Sequence, residues 1–256
     1  MYVSAPLVLH MQAEYGLIGY PLTHSFSPAY FNSKFQREGI DAAYHSFPIA
    51  DINELSELLR VHPQLRGLNV TVPYKQSVIQ YVSELDETAT IVGAVNCIAI
   101  HNGRMKGYNT DVFGFGHSLR PLLKKQHTQA LVLGTGGASK AITFVLDKIG
   151  IAYQMISRTH SAGVFTYDEL TDEIVASHTL IINATPLGMY PSVASMPPIP
   201  SAAITPRHLL YDLVYNPEET LFMKMGKAQG AQTKNGLEML HLQAEAAWRI
   251  WSQPTV

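Results

Sequence analysis

Residues 130–139 read ALVLGTGGAS, and this stretch decides the fold that the sequence predicts. Its apolar start is typical of a short buried strand, and residues 140–149 continue with the apolar spacing of a helix that Gly150 ends. A strand, a glycine turn and a helix in this order direct backbone N–H groups and the positive end of a helix toward a phosphate. The stretch therefore predicts a nucleotide site in an α/β fold. A P-loop is excluded because no Gly-Lys-Ser/Thr follows.

The glycines match the dinucleotide-binding pattern GxGxxG in a compressed form. Residues 134–137 read GTGG, with the third glycine one place early, and Ala138 is small enough for the helix to press on the sheet. About 20 residues further on, an acidic residue would bind the ribose 2′-hydroxyl of NAD, but residues 157–159 read SRT. A guanidinium between two hydroxyl groups suits a 2′-phosphate, so NADP(H) is predicted over NAD. The alternative for Arg158 is a solvated loop position.

The rest of the second half continues the alternation of strands and helices. Its patterns predict strands at 152–157, 179–183 and 209–214 and a helix at 219–229. Residues 191–206 contain five prolines between strand-like segments, which is typical of a surface excursion within one domain. The second half is therefore predicted to form one α/β unit.

The first half shows a second alternation. Its patterns predict strands at 15–20, 42–49 and 68–72 and helices at 28–39 and 51–60. This order favours a sheet that is mostly parallel and is flanked by helices. The sequence thus predicts two α/β units rather than one.

An Asn-Gly pair and an acidic residue mark the passage between the two halves. Asn102 and Gly103 lie between apolar stretches within residues 94–109, which is a strong signal for a β-hairpin. A helix is predicted from Asp111 to residue 126, although Pro121 interrupts its pattern.

Composition limits the classes of function. The chain has 256 residues, 46% hydrophobic and 15% charged, so disorder is excluded and one or two domains of about 150 residues are expected. The net charge of −2 predicts no nucleic-acid partner and no membrane surface. The single cysteine, Cys97, and 11 histidines without helical spacing predict no metal site. No apolar window reaches the length of a membrane span, and we expect a cytoplasmic protein.

The first half contains a group of polar residues that could bind a small substrate with a carboxylate and an alcohol. Ser25 and Ser27 fall at a predicted helix start, where hydroxyl and N–H groups bind a carboxylate. Thr71 lies on a predicted strand, and Lys75 follows just beyond its end. With Asp111, these residues provide the proton donor and the carboxylate that a hydride-transfer site needs beside its cofactor.

Taken in order, the motifs resemble those of the shikimate dehydrogenase family, which contains NADP-dependent shikimate and quinate dehydrogenases. The resemblance extends from residue 16 to about 250 and rests on HSFSP at 24–28, NVTVPYK at 69–75, GAVN at 93–96, GYNTD at 107–111, GTGGAS at 134–139, SRT at 157–159, NATPLGM at 183–189, DLVYNP at 212–217 and NGLEMLHLQA at 235–244. It implies reversible, NADPH-dependent reduction of 3-dehydroshikimate to shikimate, on the route to chorismate and the aromatic amino acids.

The resemblance also implies that one domain binds the substrate and the other binds the cofactor. Residues 1–111, completed by a C-terminal helix at about 237–256, would form a substrate-binding and catalytic domain with a mixed, mostly parallel sheet. Residues 112–236 would form a Rossmann-like NADP-binding domain.

The family's site residues carry over to positions in this sequence. The catalytic pair would be Lys75 and Asp111. The substrate-binding residues would be Ser25, Ser27, Thr71, Lys75, Asn96, Asp111, Tyr215 and Gln243. The cofactor-binding residues would be Gly134, Thr135, Gly136, Gly137, Ala138, Ser157, Arg158, Thr159, Leu213, Gly236 and Glu87, and no metal ligand is implied.

Two departures from the family pattern leave alternatives open. The family often has Asn in place of Ser157 and a second basic residue after the Arg-Thr pair, whereas residues 160–162 read HSA. We therefore hypothesise that the 2′-phosphate is bound more weakly and that the preference for NADP is lower. The alternatives are a quinate/shikimate dehydrogenase with broader substrate or NAD use and, in a different class, a non-catalytic metabolite-binding relative. The expected partners are shikimate and 3-dehydroshikimate, and the expected assembly is a monomer or homodimer.

Overall fold

The computed structural model describes residues 12–22 and 25–253. The chain divides into two compact units. Of the described residues, the first unit contains 12–22, 25–86, 95–108 and 250–253, and the second contains 87–94 and 109–249. His24 of the HSFSP motif lies outside the described residues. How substrate and cofactor functions divide along the chain stays a prediction.

Twelve strands and eight α-helices are found in the described residues. The strands are β1 (Ala13–Gly19), β2 (Ala42–Pro48), β3 (Leu65–Val70), β4 (Glu84–Leu85), β5 (Cys97–His101), β6 (Arg104–Tyr108), β7 (Gln129–Leu133), β8 (Ala152–Ser157), β9 (Val164–Thr166), β10 (Leu180–Asn183), β11 (Leu209–Asp212) and β12 (Gln232–Lys234). The helices are α1 (Phe26–Glu38), α2 (Leu55–Val61), α3 (Glu87–Val92), α4 (Asp111–Leu119), α5 (Gly137–Ile149), α6 (Asp172–Ser177), α7 (Leu221–Ala228) and α8 (Leu237–Ser252). No helix in the described part of the chain is long and apolar enough to cross a membrane.

The first unit contains a six-stranded mixed sheet in the order β2-β1-β3-β5-β6-β4. β1 runs parallel to β2 and β3, whereas the hairpin β5–β6 begins with a strand antiparallel to β3. The predicted hairpin turn is confirmed: Asn102 and Gly103 have φ angles of 47° and 74°, the left-handed conformation that Asn and Gly adopt at low cost.

Trp251 completes the core of the first unit from the far end of the chain. Its indole ring centroid lies 5.0 Å from that of Tyr15 and 5.4 Å from that of Phe31, and its Nε1 donates to the Ile98 carbonyl at 2.9 Å. The ring lies directly over Gly67 in β3, where an added Cβ would collide with the indole atoms. The core of the first unit therefore depends on a residue from the opposite end of the sequence.

The second unit is built on a six-stranded, fully parallel sheet in the order β12-β11-β10-β7-β8-β9. Counted within the unit, this is the doubly wound order of dinucleotide-binding folds, read from the other edge. β10 and β11 are buried throughout, and β7 is buried from Ala130 to Leu133, as expected for parallel strands covered on both faces. The predicted α/β class, with two mostly parallel sheets, is confirmed.

Several boundaries differ from the sequence-based predictions. α4 ends at Leu119, because Pro121 lies in a 3-10 turn over Arg120–Leu122 and has no N–H to continue an α-helix. α5 begins at Gly137 and not at residue 140. The short strands β9 and β12 and the helix α6 are absent from the sequence-based prediction, and each is only three to six residues long.

We predict that Gly67→Ala destabilises the protein by about 1–3 kcal/mol, because the new methyl group must displace the packed Trp251 ring. Urea unfolding measures the change. Arg66→Ala, on the exposed neighbouring position of the same strand, is the matched control and should change stability by no more than about 0.5 kcal/mol. Equal stability of the two variants would contradict the packing argument.

Candidate active site

The strand ends of the first unit bring three of the predicted substrate residues, Ser25, Thr71 and Asn96, to a common edge of its sheet. Thr71 follows β3, and its N–H donates to the Ile18 carbonyl of β1 at 2.9 Å. Asn96 is buried just before β5, and its carbonyl accepts from the Val70 N–H at 2.9 Å. Ser25 occupies the N-cap position of α1 but makes no side-chain capping hydrogen bond. Its hydroxyl is therefore not committed to the helix.

A buried chain of hydrogen bonds reaches Asn96 from β2 and β3. The Tyr44 hydroxyl donates to Asn69 Oδ1 at 2.7 Å, and Asn69 Nδ2 donates to the Asn96 carbonyl at 3.3 Å. Burial raises the pKa of Tyr44 well above its ordinary value, so this phenol stays neutral and available as a donor. The chain fixes the Asn96 backbone through Tyr44 and Asn69, for which the sequence predicts no supporting role.

Lys75 lies in the turn beyond β3 and is half-buried. The turn is anchored on both sides of it: the Lys75 carbonyl accepts from the Val95 N–H at 2.7 Å, and the Tyr74 hydroxyl donates to the Ile49 carbonyl at 2.8 Å. The backbone that carries this ammonium group is therefore fixed before any ligand binds.

In the second unit, Asp111 is the first residue of α4 and is buried. Asn109 Oδ1 accepts from the Val112 N–H at 3.3 Å, and Asn109 Nδ2 donates to the Ala94 carbonyl at 2.9 Å, which fixes the helix start. The neighbouring Thr110 hydroxyl donates to Gln243 Oε1 of α8 at 3.4 Å. Two of the predicted site residues, Asp111 and Gln243, thus lie on helix segments that contact each other at Thr110.

The glycine turn follows β7 at the point where the strand order of the second sheet reverses. Gly134 has a φ of 106°, and a Cβ there would meet Thr185 Cγ2 at 3.1 Å and the Ala184 carbonyl oxygen at 3.2 Å. Only glycine permits both this conformation and this close approach. The turn therefore lies against the loop that follows β10, at the crevice where open α/β sheets bind their ligands.

The start of α5 fits a dinucleotide phosphate. Gly136 is the N-cap residue, without a side-chain cap, and no acidic residue lies in the first turn. Gly136 has open space where a Cβ would be. Ser139 Oγ is buried and has no hydrogen-bond partner among the described residues. The turn thus combines uncapped N–H groups with an unused hydroxyl at the positive end of a helix.

The structure places the predicted 2′-phosphate residues at the end of β8. Ser157 pairs with Thr166 of β9, whereas Arg158 and Thr159 are exposed beyond the strand end. Glu169 is an acidic residue near this edge, but its Oε2 is occupied by the Thr166 N–H and hydroxyl and by His160. The guanidinium of Arg158 remains solvent-accessible, as binding of a phosphate from solution requires.

A fully buried carboxylate, Asp212, ends β11. It accepts hydrogen bonds from Asn183 Nδ2 at 2.9 Å, from the Val214 N–H at 3.0 Å and from the Thr220 hydroxyl at 2.6 Å. Burial raises the pKa of Asp212 to about 6, and these three hydrogen bonds offset part of that effect. Asp212 begins the DLVYNP motif, but no site role is predicted for it from the sequence; its place directly after a run of apolar residues is the available signal.

The remaining predicted residues all belong to the second unit. Leu213 and Tyr215 lie half-buried in the loop after β11, and Gly236 packs so closely on the Leu213 carbonyl that a Cβ could not fit. Glu87 is the first residue of α3. No cluster of three or more His, Cys, Asp or Glu residues in the described part of the chain could hold a metal ion.

The doubly wound sheet and its glycine turn define the second unit as a dinucleotide-binding fold, the class that includes nicotinamide-dependent oxidoreductases. Comparisons with known proteins narrow the class. A family model described as the shikimate dehydrogenase substrate binding domain matches residues 17–98. The shikimate dehydrogenase (NADP(+)) of Halothermothrix orenii is 39% identical over 93% of this chain and 90% of its own length. The chain belongs to the shikimate dehydrogenase family.

Solved structures agree with this assignment. The shikimate 5-dehydrogenase of Thermus thermophilus, in complex with NADP(H) and shikimate, is 29% identical with a TM-score of 0.83 and covers 94% of both chains. A quinate dehydrogenase from Corynebacterium glutamicum in complex with NAD is 28% identical with a TM-score of 0.82, also over 94% of both chains.

We predict that Asp212 gives the stability of the protein a distinctive pH dependence. Its folded-state pKa of about 6 lies above the ordinary value of 3.8. Its contribution to stability is therefore fully present below about pH 4 and is lost as the pH rises through 6. Relative to Asp212→Asn, which does not titrate there, the wild type should lose about 2 kcal/mol between about pH 4.5 and pH 7.5. Urea unfolding of both proteins across this range measures the difference, and a constant difference would contradict the prediction.

Proposed function

We propose that this chain catalyses the reversible, NADPH-dependent reduction of 3-dehydroshikimate to shikimate, the step of the chorismate route that its relatives are named for. The observation that carries the proposal is that Lys75 and Asp111 are both present, each on a backbone segment fixed by hydrogen bonds. Similarity to shikimate dehydrogenases over 93% of the chain supports the same activity.

Each predicted substrate residue has a role in this reaction. When bound, NADPH supplies a hydride to the carbonyl carbon of 3-dehydroshikimate. Lys75 Nζ donates a proton to the oxygen that becomes the alcohol, and Asp111 orients and stabilises the ammonium group. Ser25 and Ser27 bind the substrate carboxylate, and the ring hydroxyls and carboxylate are contacted further by Thr71, Asn96, Tyr215 and Gln243. In the oxidative direction, Lys75 accepts the alcohol proton.

The cofactor residues divide by the part of NADP(H) that they would hold. Residues 134–138 present backbone N–H groups at the start of α5 to the pyrophosphate. Ser157, Arg158 and Thr159 bind the 2′-phosphate. Leu213 and Gly236 line the nicotinamide end, and Glu87 provides a further contact.

The alternative of a quinate or NAD-using enzyme is supported by similarity to solved relatives that contain NAD, among them the quinate dehydrogenase. Arg158 favours NADP(H), because a guanidinium gains a charge-assisted contact only from the 2′-phosphate. We place the reaction in the cytoplasm, consistent with the single buried cysteine. The working unit we propose is a monomer or homodimer.

Lys75→Ala and Asp111→Asn test the catalytic pair. We expect each to lower kcat for shikimate oxidation by about 10²–10⁴-fold, because each removes a group needed for proton transfer. The KM for NADP+ should change less than threefold. The matched control is Lys106→Ala, which removes a lysine paired with Glu84 on the same unit as Lys75 and should leave kcat unchanged. Wild-type turnover in either site variant would remove that residue from the proposed mechanism.

Arg158→Ala tests the choice of cofactor. We expect kcat/KM to fall about 10–100-fold with NADPH and to stay within twofold with NADH, since only NADPH carries the 2′-phosphate. Steady-state kinetics with both cofactors give the result. Arg207→Ala, another exposed arginine of the second unit, serves as the control. An equal loss with both cofactors would contradict the assignment of Arg158.

A further inference from the structure

We propose that Asp212 is a positioning residue for the cofactor: its carboxylate holds the loops that follow β10 and β11 in the arrangement that binds NADP(H). The proposal rests on the proposed function for the identity of the cofactor. It concerns a residue that touches neither the expected substrate nor the glycine turn.

The first line of evidence is that Asp212 joins three separate segments. Through Asn183 it reaches the end of β10, through the Val214 N–H it fixes its own loop, and through the Thr220 hydroxyl it reaches the start of α7. Thr220 is itself the N-cap of α7 and accepts from the Met223 N–H at 3.3 Å. All these residues are buried in the second unit.

The hydrogen-bond chain continues into the loop after β10. Asn183 Oδ1 accepts from the Thr185 N–H at 3.0 Å and from the Thr185 hydroxyl at 2.6 Å. Thr185 Oγ1 in turn accepts from the Leu187 N–H at 3.2 Å, and Asn183 Nδ2 also donates to the Leu187 carbonyl at 3.3 Å. The conformation of residues 184–187 is therefore set by Asn183, whose amide is oriented by Asp212.

Both loops held in this way contact the predicted cofactor residues. Thr185 and Ala184 pack against Gly134 of the glycine turn. On the other side, the Leu213 backbone packs against Gly236, and the Gly236 N–H donates to the Val214 carbonyl at 3.1 Å. A displacement of either loop would be transmitted directly to the turn expected at the pyrophosphate or to the residues expected at the nicotinamide.

The choice of a carboxylate at this position has a functional explanation. Its burial raises its pKa and destabilises the folded protein at neutral pH, so stability alone does not favour it over an apolar residue. An ionised carboxylate, however, accepts strong hydrogen bonds from three donors on different segments at once. Such a group orders a binding site before the ligand arrives, which lowers the entropic cost of binding.

Direct binding of NADP+ by isothermal titration calorimetry, without substrate, tests the proposal. We expect Asp212→Ala to raise the Kd for NADP+ at least tenfold. Asp212→Asn should restore binding to within threefold of wild type, because the amide oxygen still accepts from Asn183 and Val214 and the amide nitrogen can donate to Thr220. The KM for shikimate at saturating NADP+ should change less than twofold in both variants.

The matched control is Tyr211→Phe. Tyr211 adjoins Asp212 on β11, and its buried hydroxyl bonds Ser118 of α4 at 2.6 Å instead of either loop. We expect this variant to bind NADP+ within twofold of wild type. Equal weakening in Tyr211→Phe and Asp212→Ala would show a general loss of stability and overturn the proposal, as would wild-type affinity in Asp212→Ala.

A second variant covers the case in which Asp212→Ala does not fold. Thr185→Val removes only the far end of the hydrogen-bond chain and should raise the Kd three- to tenfold; unchanged affinity would overturn the proposal. Failure of the proposed function gives a different result. A wild type that binds NADP+ but does not oxidise shikimate contradicts the activity while the Kd comparison still decides the role of Asp212.

Discussion

The parallel register of β7, β10 and β11 is the constraint on which the second unit depends. Leu133 pairs with Asn183, and Asn183 pairs with Asp212, so the three strands end at one level. The loops after β7, β10 and β11 therefore start at the same edge of the sheet. The positive end of the α5 helix dipole lies at this edge as well. Backbone hydrogen bonds continue the register past the strands, from the Ala184 N–H to Leu133 and from the Leu213 N–H to Asn183. The loops after β10 and β11 are thus an extension of the sheet.

The two units arrange their polar groups in comparable ways. In the first, the chain from Tyr44 through Asn69 to Asn96 lies beneath the strand ends. In the second, Asn183, Asp212 and Thr220 do the same beneath the loops. In both, a buried polar network supports the predicted ligand-binding residues, and its hydrogen bonds are made within the same unit. Rigid support of this kind allows short loops to present functional groups with little reorganisation.

The sequence predicts the two α/β units more completely than the buried hydrogen-bond networks within them. Asn102-Gly103 identifies its hairpin because the turn chemistry is local, and the glycines at 134–137 identify the strand-turn-helix for the same reason. β9 and β12 are not predicted, because three half-buried residues are too few to show an alternation of buried and exposed positions. Asp212 and Asn183 are 29 positions apart, and only the parallel pairing of their strands makes them neighbours. Long-range contacts of this kind leave no periodic trace in a single sequence.

Cys97 gives the first unit an internal reporter. It is the only cysteine in the chain, it is fully buried at the start of β5, and burial raises the pKa of its thiol well above the ordinary value. Thiolate chemistry is therefore suppressed while the sheet is intact. A thiol reagent reaches this side chain only when β5 separates from its neighbouring strands. Because the protein has no other thiol, the rate of labelling measures how often the first unit opens. Oxidative damage at this position likewise becomes a consequence of unfolding rather than a cause of it.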